Sequence, residues 1–195
     1  MLSLVRPAVV SMAFFTLLLG IAYPFAVTGI AQTMPYQAEG SLIRMNGHVV
    51  GSELIGQNFA GAGYLHGRPS GAGSDGYDAS ASSGSNLGPL NEDLAKRVSE
   101  SASALKSETG PAVIPADAVT TSASGLDPHI SPAYAQLQAA RIAKARGVAP
   151  TAVRALISKH VEGQTFGFIG QPRVNVLVTN LALDKAFPAG ANQAR

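Results

Sequence analysis

The chain contains no cysteine, which excludes disulfide frameworks, thiolate zinc sites and a cysteine nucleophile together. Charge is scarce: Asp, Glu, Lys and Arg make up 13% of the residues, and none of them occurs between Pro7 and Ala38. Several catalytic signatures are missing as well. No Gly-x-Ser-x-Gly elbow places a serine nucleophile. His48, His66, His129 and His160 include no pair at the i, i+4 spacing of a metal site. The glycine-bearing stretch 84–89 could turn backbone N–H groups toward an anion, but it lacks the Gly-Lys-Ser/Thr ending of a phosphate loop. The net charge of +2 lacks the strong basic excess that a nucleic-acid partner leaves, so no nucleic acid is expected.

What is present first is an apolar run. Residues 8–30, as a helix rising about 1.5 Å per residue, span roughly 34 Å, slightly more than a hydrocarbon core of about 30 Å. A cleaved signal peptide is the rival reading, but its apolar region covers only about 7 to 15 residues. One uncleaved transmembrane helix is therefore expected, with Pro24 producing a local kink. Arg6 precedes the run and the next basic residue is Arg44, so the positive-inside rule leaves 1–7 as a cytoplasmic stub and exports the chain beyond the helix. Tyr36 sits at the depth where aromatic rings favour lipid headgroups.

Beyond the span, residues 39–185 read as one small α+β domain outside the cytoplasm. Asn46-Gly47 between two short apolar runs, 41–45 and 48–50, is a hairpin signal, because both central residues of that turn need positive φ. Residues 51–59 read as a third strand or an extended edge. Residues 60–89, rich in Gly and Ser, carry no apolar period and form a long loop, either ordered against the domain or a partner, or disordered. Asn91 caps a helix that Gly110-Pro111 ends, and Ser131-Pro132 opens another that runs to Arg146 before Gly147. A shorter helix begins near Thr151. Alternating Val174, Val176 and Val178 read as a closing strand over 173–183, and 186–195 as a flexible tail.

Ser122, Ser124, Asp127 and His129 together offer the parts of a hydrolytic triad, so an exported, membrane-anchored hydrolase is one reading of the domain. The two helices from Ser131 to His160 also imitate a helix-turn-helix, with Arg141, Lys144, Arg146, Arg154 and Lys159 available for phosphates. Export puts that motif on the wrong side of the membrane for DNA. Without a further signal, a binding module or subunit is the default class.

Five blocks supply that signal. They are 51–59 (Gly-Ser-x-Leu-Ile-Gly-Gln-x-Phe), 64–70 (Tyr-x-His-Gly-Arg-Pro-Ser), 83–89 (Ser-Gly-Ser-Asn-Leu-Gly-Pro), 120–132 (Thr-Thr-Ser-Ala-Ser-Gly-Leu-Asp-Pro-His-Ile-Ser-Pro) and 172–177 (Pro-Arg-Val-Asn-Val-Leu). In this order, after one N-terminal span, they resemble the C subunit of the bacterial Kdp potassium-transporting ATPase, with Leu65 where an aromatic is usual. The resemblance implies a non-catalytic subunit of an ATP-driven, high-affinity potassium importer in the cytoplasmic membrane. Its partners would be a channel-like potassium-translocating subunit, a P-type ATPase subunit, a very small membrane subunit and membrane lipid. Asp184-Lys185-Ala186 is no phosphorylation motif, so hydrolysis belongs to a partner. The resemblance further implies a catalytic chaperone that raises the ATP affinity of the ATPase subunit, with no covalent cofactor and ATP held in a ternary complex. Candidate contact or ligand residues within or beside these blocks are Gln57, Tyr64, His66, Arg68, Ser85, Asn86, Ser122, Ser124, Asp127, His129, Arg173 and Asn175.

Overall fold

The computed structural model describes residues 2–110 and 112–188. The chain divides into two units, 1–43 and 44–195. The first is dominated by one continuous apolar helix. Helix α1 (Leu2–Leu17) passes through a π-helical turn, Leu18–Ala22, into α2 (Tyr23–Ala31). Ser3–Ala31 is 29 residues long and apolar enough to cross a membrane, and its most apolar window is 0% buried. The helix thus starts earlier than residue 8. The kink expected at Pro24 takes the form of that wide turn: the Tyr23 N–H reaches back to the Leu18 carbonyl, giving room to the Gly20 carbonyl that the proline ring would otherwise strike. A single turn, α3 (Pro35–Ala38), comes next.

Strands β1 (Leu42–Met45) and β2 (His48–Ser52) form the expected hairpin, with Asn46 and Gly47 at φ 51° and 82°. Residues 53–59 add no third strand. In the second unit, helix α4 (Glu92–Thr109) begins where Asn91 accepts the N–H groups of Asp93 and Leu94. The helix expected from Ser131 to Arg146 is two pieces, α5 (Pro132–Leu137) and α6 (Ala139–Arg146), broken at Gln138 and ended by Gly147 at φ 66°. Helix α7 (Pro150–Lys159) turns its buried Val153 and Ile157 into the core.

A three-stranded antiparallel sheet orders β3 (His129–Ile130), β5 (Arg173–Asn175) and β4 (Val161–Glu162), with β5 in the middle. Ile130 and Val161 both pair with Val174, which is completely buried. The long closing strand expected over 173–183 is a correction: after Asn175 the chain becomes α8 (Val176–Ala186). Alternating valines favour a strand only locally. The buried positions are Val176, Leu177, Thr179, Asn180 and Leu183; Val176, Thr179, Asn180 and Leu183 have the 3, 4 spacing of a helix face, and Asn175 caps the helix by accepting the Val178 N–H. That helix also claims the start of the stretch read as a tail; residues 189–195 of that tail lie outside the described residues. The core gathers Leu65, Ile130, Ile142, Val153, Ile157, Val174 and Leu183.

Candidate functional site

The Gly/Ser-rich segment 60–89 is ordered against its own domain, and two buried amides hold its start. Asn180 on α8 accepts the Leu65 N–H at 2.7 Å and donates to the Leu65 carbonyl at 3.0 Å. Gln138, at the break between α5 and α6, does the same for His66, at 2.8 and 3.1 Å. Each side chain satisfies both backbone polar groups of one residue, the work a neighbouring strand would otherwise do. The Gln138 amide thereby gives the helix break a role. Sequence reasoning missed both residues, because Asn180 lies inside the run read as a strand and Gln138 inside one read as an unbroken helix.

Tyr64 and His66 flank this clamp. The Arg146 side chain, completely buried, donates to the Gly63 carbonyl at 2.7 Å, the Phe187 carbonyl at 2.7 Å and Asp184 at 2.8 Å, and its guanidinium sits 4.9 Å from the centre of the Tyr64 ring. Tyr64 in turn donates to Asp184 at 3.3 Å. Burial, with Asp184 beside it, raises the Tyr64 phenol above its ordinary value. Arg141 lies 2.6 Å from His66 Nε2, and its Nε is 2.9 Å from Glu108 but off the N–H axis, an ion pair without a linear hydrogen bond. A guanidinium only donates and a carbonyl only accepts, so His66 Nε2, which also lies 3.1 Å from the Gly61 carbonyl, can serve only one of the two at a time. Burial first, then the Arg141 charge, hold its pKa below the ordinary value, against the opposing pull of the Gly61 carbonyl and Glu108. Arg141 and Arg146 are therefore occupied inside the domain and are not available for nucleic-acid phosphates.

Further along, 68–85 is wound against 120–129. Arg68 donates to Asp127 at 3.1 Å and to the Thr121 carbonyl at 3.3 Å, while Tyr77 donates to the Arg68 carbonyl at 2.7 Å. Burial pushes the Tyr77 phenol up to about 12, so it stays a neutral donor. Ser70 donates to the Gly125 carbonyl at 2.6 Å and accepts the Tyr77 N–H at 2.8 Å. Gly125 stands at φ 68°, and a Cβ there would fall 2.6 Å from the Ser83 carbonyl oxygen, so only glycine lets the two segments approach this closely. Asp127 also accepts the His129 N–H at 3.0 Å. Burial would raise its carboxyl, but the hydrogen bonds from His129 and Arg68 win and hold it below the ordinary range.

These contacts leave a shallow cleft of about 560 Å³ walled by Arg68, Asp117, Asp127, His129 and Arg173. Arg68, Asp127, His129 and Arg173, chosen from three separate blocks, meet here. Asn175 lies in the same sheet, donating to the Glu53 carbonyl at 2.9 Å, and Gln57 donates to the Val50 carbonyl at 3.0 Å. Ser85 accepts a hydrogen bond from Thr121 at 3.4 Å, and Asn86 is an exposed residue at φ 52°. Tyr64 and His66 belong to the clamp instead. The triad reading finds no geometry: Ser122 is buried with its hydroxyl 3.5 Å from Ser124, Ser124 accepts the Leu126 N–H, and no hydrogen bond joins a serine to the His129 ring among the described residues. Nor do three His, Asp or Glu side chains converge on a possible metal position among the described residues.

Comparison with known proteins places these features. The family model described as "KdpC: K+-transporting ATPase, c chain" matches residues 5–185. A relative from Caulobacter vibrioides (strain NA1000 / CB15N), named a potassium-transporting ATPase KdpC subunit, is 63% identical over 195 residues, covering 99% of this chain and 98% of its own length. Relatives of the same name from Beijerinckia indica subsp. indica and Rhodopseudomonas palustris (strain ATCC BAA-98 / CGA009) are 60% and 52% identical, each over 96% of this chain and over 96% and 100% of their own lengths. With the match running from the apolar helix through the clamp and the cleft to α8, the chain belongs to the KdpC family.

Proposed function

We propose that this chain is a non-catalytic subunit of an ATP-driven, high-affinity potassium importer, held in the bacterial cytoplasmic membrane by one span, with residues 1–7 inside and the domain outside. The observation that carries the reading is the helix Ser3–Ala31, 29 residues long, whose most apolar window is 0% buried. A helix apolar on all sides needs lipid or partner helices around it. The names of the relatives support a potassium-transporting ATPase as the complex; within it, on this reading, the chain meets a channel-like potassium-translocating subunit, a P-type ATPase subunit and a very small membrane subunit. The outer loops 60–89 and 117–132 then cover the potassium-translocating subunit, with the cleft around Arg68 and Asp127 at the contact.

The same reading makes the chain a catalytic chaperone that raises the ATP affinity of the ATPase subunit, with ATP in a ternary complex. A domain outside the membrane cannot touch cytoplasmic ATP, so the effect runs through the span, which packs differently on its neighbours in two states. Coupling is reciprocal: if the chain tightens ATP binding by a typical factor of about 5 to 150, ATP tightens retention of the chain equally.

Deleting 60–89 would test nothing, because Leu65 and Ala72 are completely buried and the domain would unfold. The informative variants are Arg68→Ala and His129→Ala, introduced into the complex purified through a tag on this chain. The expected result is loss of the partner subunits or weaker potassium affinity. Unchanged assembly, potassium affinity and ATP affinity in both would overturn the assignment of the cleft. An ATP affinity of the complex that does not depend on the presence of this chain would overturn the chaperone role.

A further inference from the structure

Between the paired residues Glu162 and Arg173, which form an ion pair of 2.9 Å, the chain turns back through 163–172 without one charged side chain. Thr165 and Ile169 bridge, and the tip presents Phe166, Phe168 and Ile169 to solvent at 84%, 75% and 52% exposure. The turn itself is strained. Phe166 and Gly167 lie at φ 53° and 80°, nearly the same pair of angles as Asn46 and Gly47 at 51° and 82°. Asn is suited to that first position, whereas a bulky ring there is an outlier that folding alone does not favour. The backbone of the tip is largely satisfied internally. Thr165 and Ile169 exchange hydrogen bonds at 2.9 and 3.0 Å, Gly167 and Phe168 donate to the Gln164 and Thr165 carbonyls at 3.1 and 3.3 Å, and the Gln164 side chain donates to the Gly170 carbonyl at 2.8 Å.

We propose that the tip 164–169 dips its two phenylalanines and Ile169 into the outer leaflet of the bilayer, as a second membrane contact of the chain. An uncharged tip above a charged collar, with most of its peptide groups paired within itself, is what a lipid interface accepts. The proposal rests on the reading that Ser3–Ala31 spans a bilayer. Residues 32–41 alone separate that helix from β1, at most roughly 35 Å of extended chain, so the domain always works near a lipid surface.

The chain has no tryptophan, so a single one reports without background. The full chain carrying Phe168→Trp, Phe14→Trp or Leu90→Trp is reconstituted into phosphatidylethanolamine and phosphatidylglycerol vesicles with brominated acyl chains, with Ile169→Trp as a second tip reporter. The expected result is blue-shifted emission and bromine quenching for the tip and for position 14, and neither for position 90, where the native side chain is 97% exposed. Adding Phe166→Asn to a tip reporter is expected to abolish its quenching while the thermal midpoint stays the same or rises. Quenching at 14 but not at either tip position overturns the proposal and leaves the span intact; quenching at neither overturns both. Tip emission that is blue-shifted only in the assembled complex, without bromine quenching, assigns the tip to a protein pocket and likewise overturns the lipid contact.

Discussion

Replacing Asn180 by leucine isolates the amide clamp on which the placement of 64–70 depends. Leucine is close to asparagine in size, so little cavity is created and the change is chemical. The Leu65 N–H and carbonyl, now held at 2.7 and 3.0 Å, would both be left buried without partners. Each such group costs about 1–3 kcal/mol, so the variant should lose about 2–6 kcal/mol of the roughly 5–15 kcal/mol that hold a domain together. With a urea slope of about 2 kcal/mol per M, the unfolding midpoint of the full chain in detergent should fall by roughly 1–3 M at unchanged slope. Gln138→Leu should behave alike, and the double variant should cost less than the sum, because the two clamps hold adjacent residues of one segment. A midpoint shift for Asn180→Leu below about 0.2 M, or strictly additive losses, would refute the reasoning.

His66 is held below its ordinary pKa of 6.5, mainly by burial and by the Arg141 guanidinium. The unfolded chain therefore binds a proton that the folded one refuses: the stabilisation is complete above about pH 6.5 and is lost as pH falls toward the lower folded value. Thermal midpoints should decline below about pH 6.5, and His66→Gln should flatten that decline; an equally steep decline in the variant would contradict the assignment. Asn175→Ala removes both the cap of α8 and the bond to the Glu53 carbonyl, an expected loss of about 2–3 kcal/mol by urea unfolding. Asn175→Asp keeps the accepting oxygen for Val178 and should recover part of it.

Which elements were legible depends on the range of the forces involved. The uncharged run 8–30, the Asn46-Gly47 turn, the caps Asn91 and Ser131 and the stop at Gly147 rest on residues a few positions apart, and the structure has each of them. The strand expected over 173–183 failed because alternation and a helical face share the same valines over so short a stretch. Only the burial of Val176, Thr179, Asn180 and Leu183 shows that the period there is that of a helix. At the site, Arg68, Asp127 and His129 stood out as polar residues in the blocks that carry the family resemblance. Asn180 and Gln138 did not, since an amide in an apolar stretch carries no local mark of the peptide it will hold.

By itself the chain of residues determined family membership, the apolar helix and the local starts and stops of its elements, because each is written in composition or in neighbouring side chains. Tertiary structure alone decided that 60–89 is ordered, that Arg141 and Arg146 are spent inside the domain, and that blocks around 68, 127 and 173 meet in one cleft. Those outcomes depend on which peptide groups lose water on folding and which distant side chain replaces it, and that pairing exists only once the chain has closed.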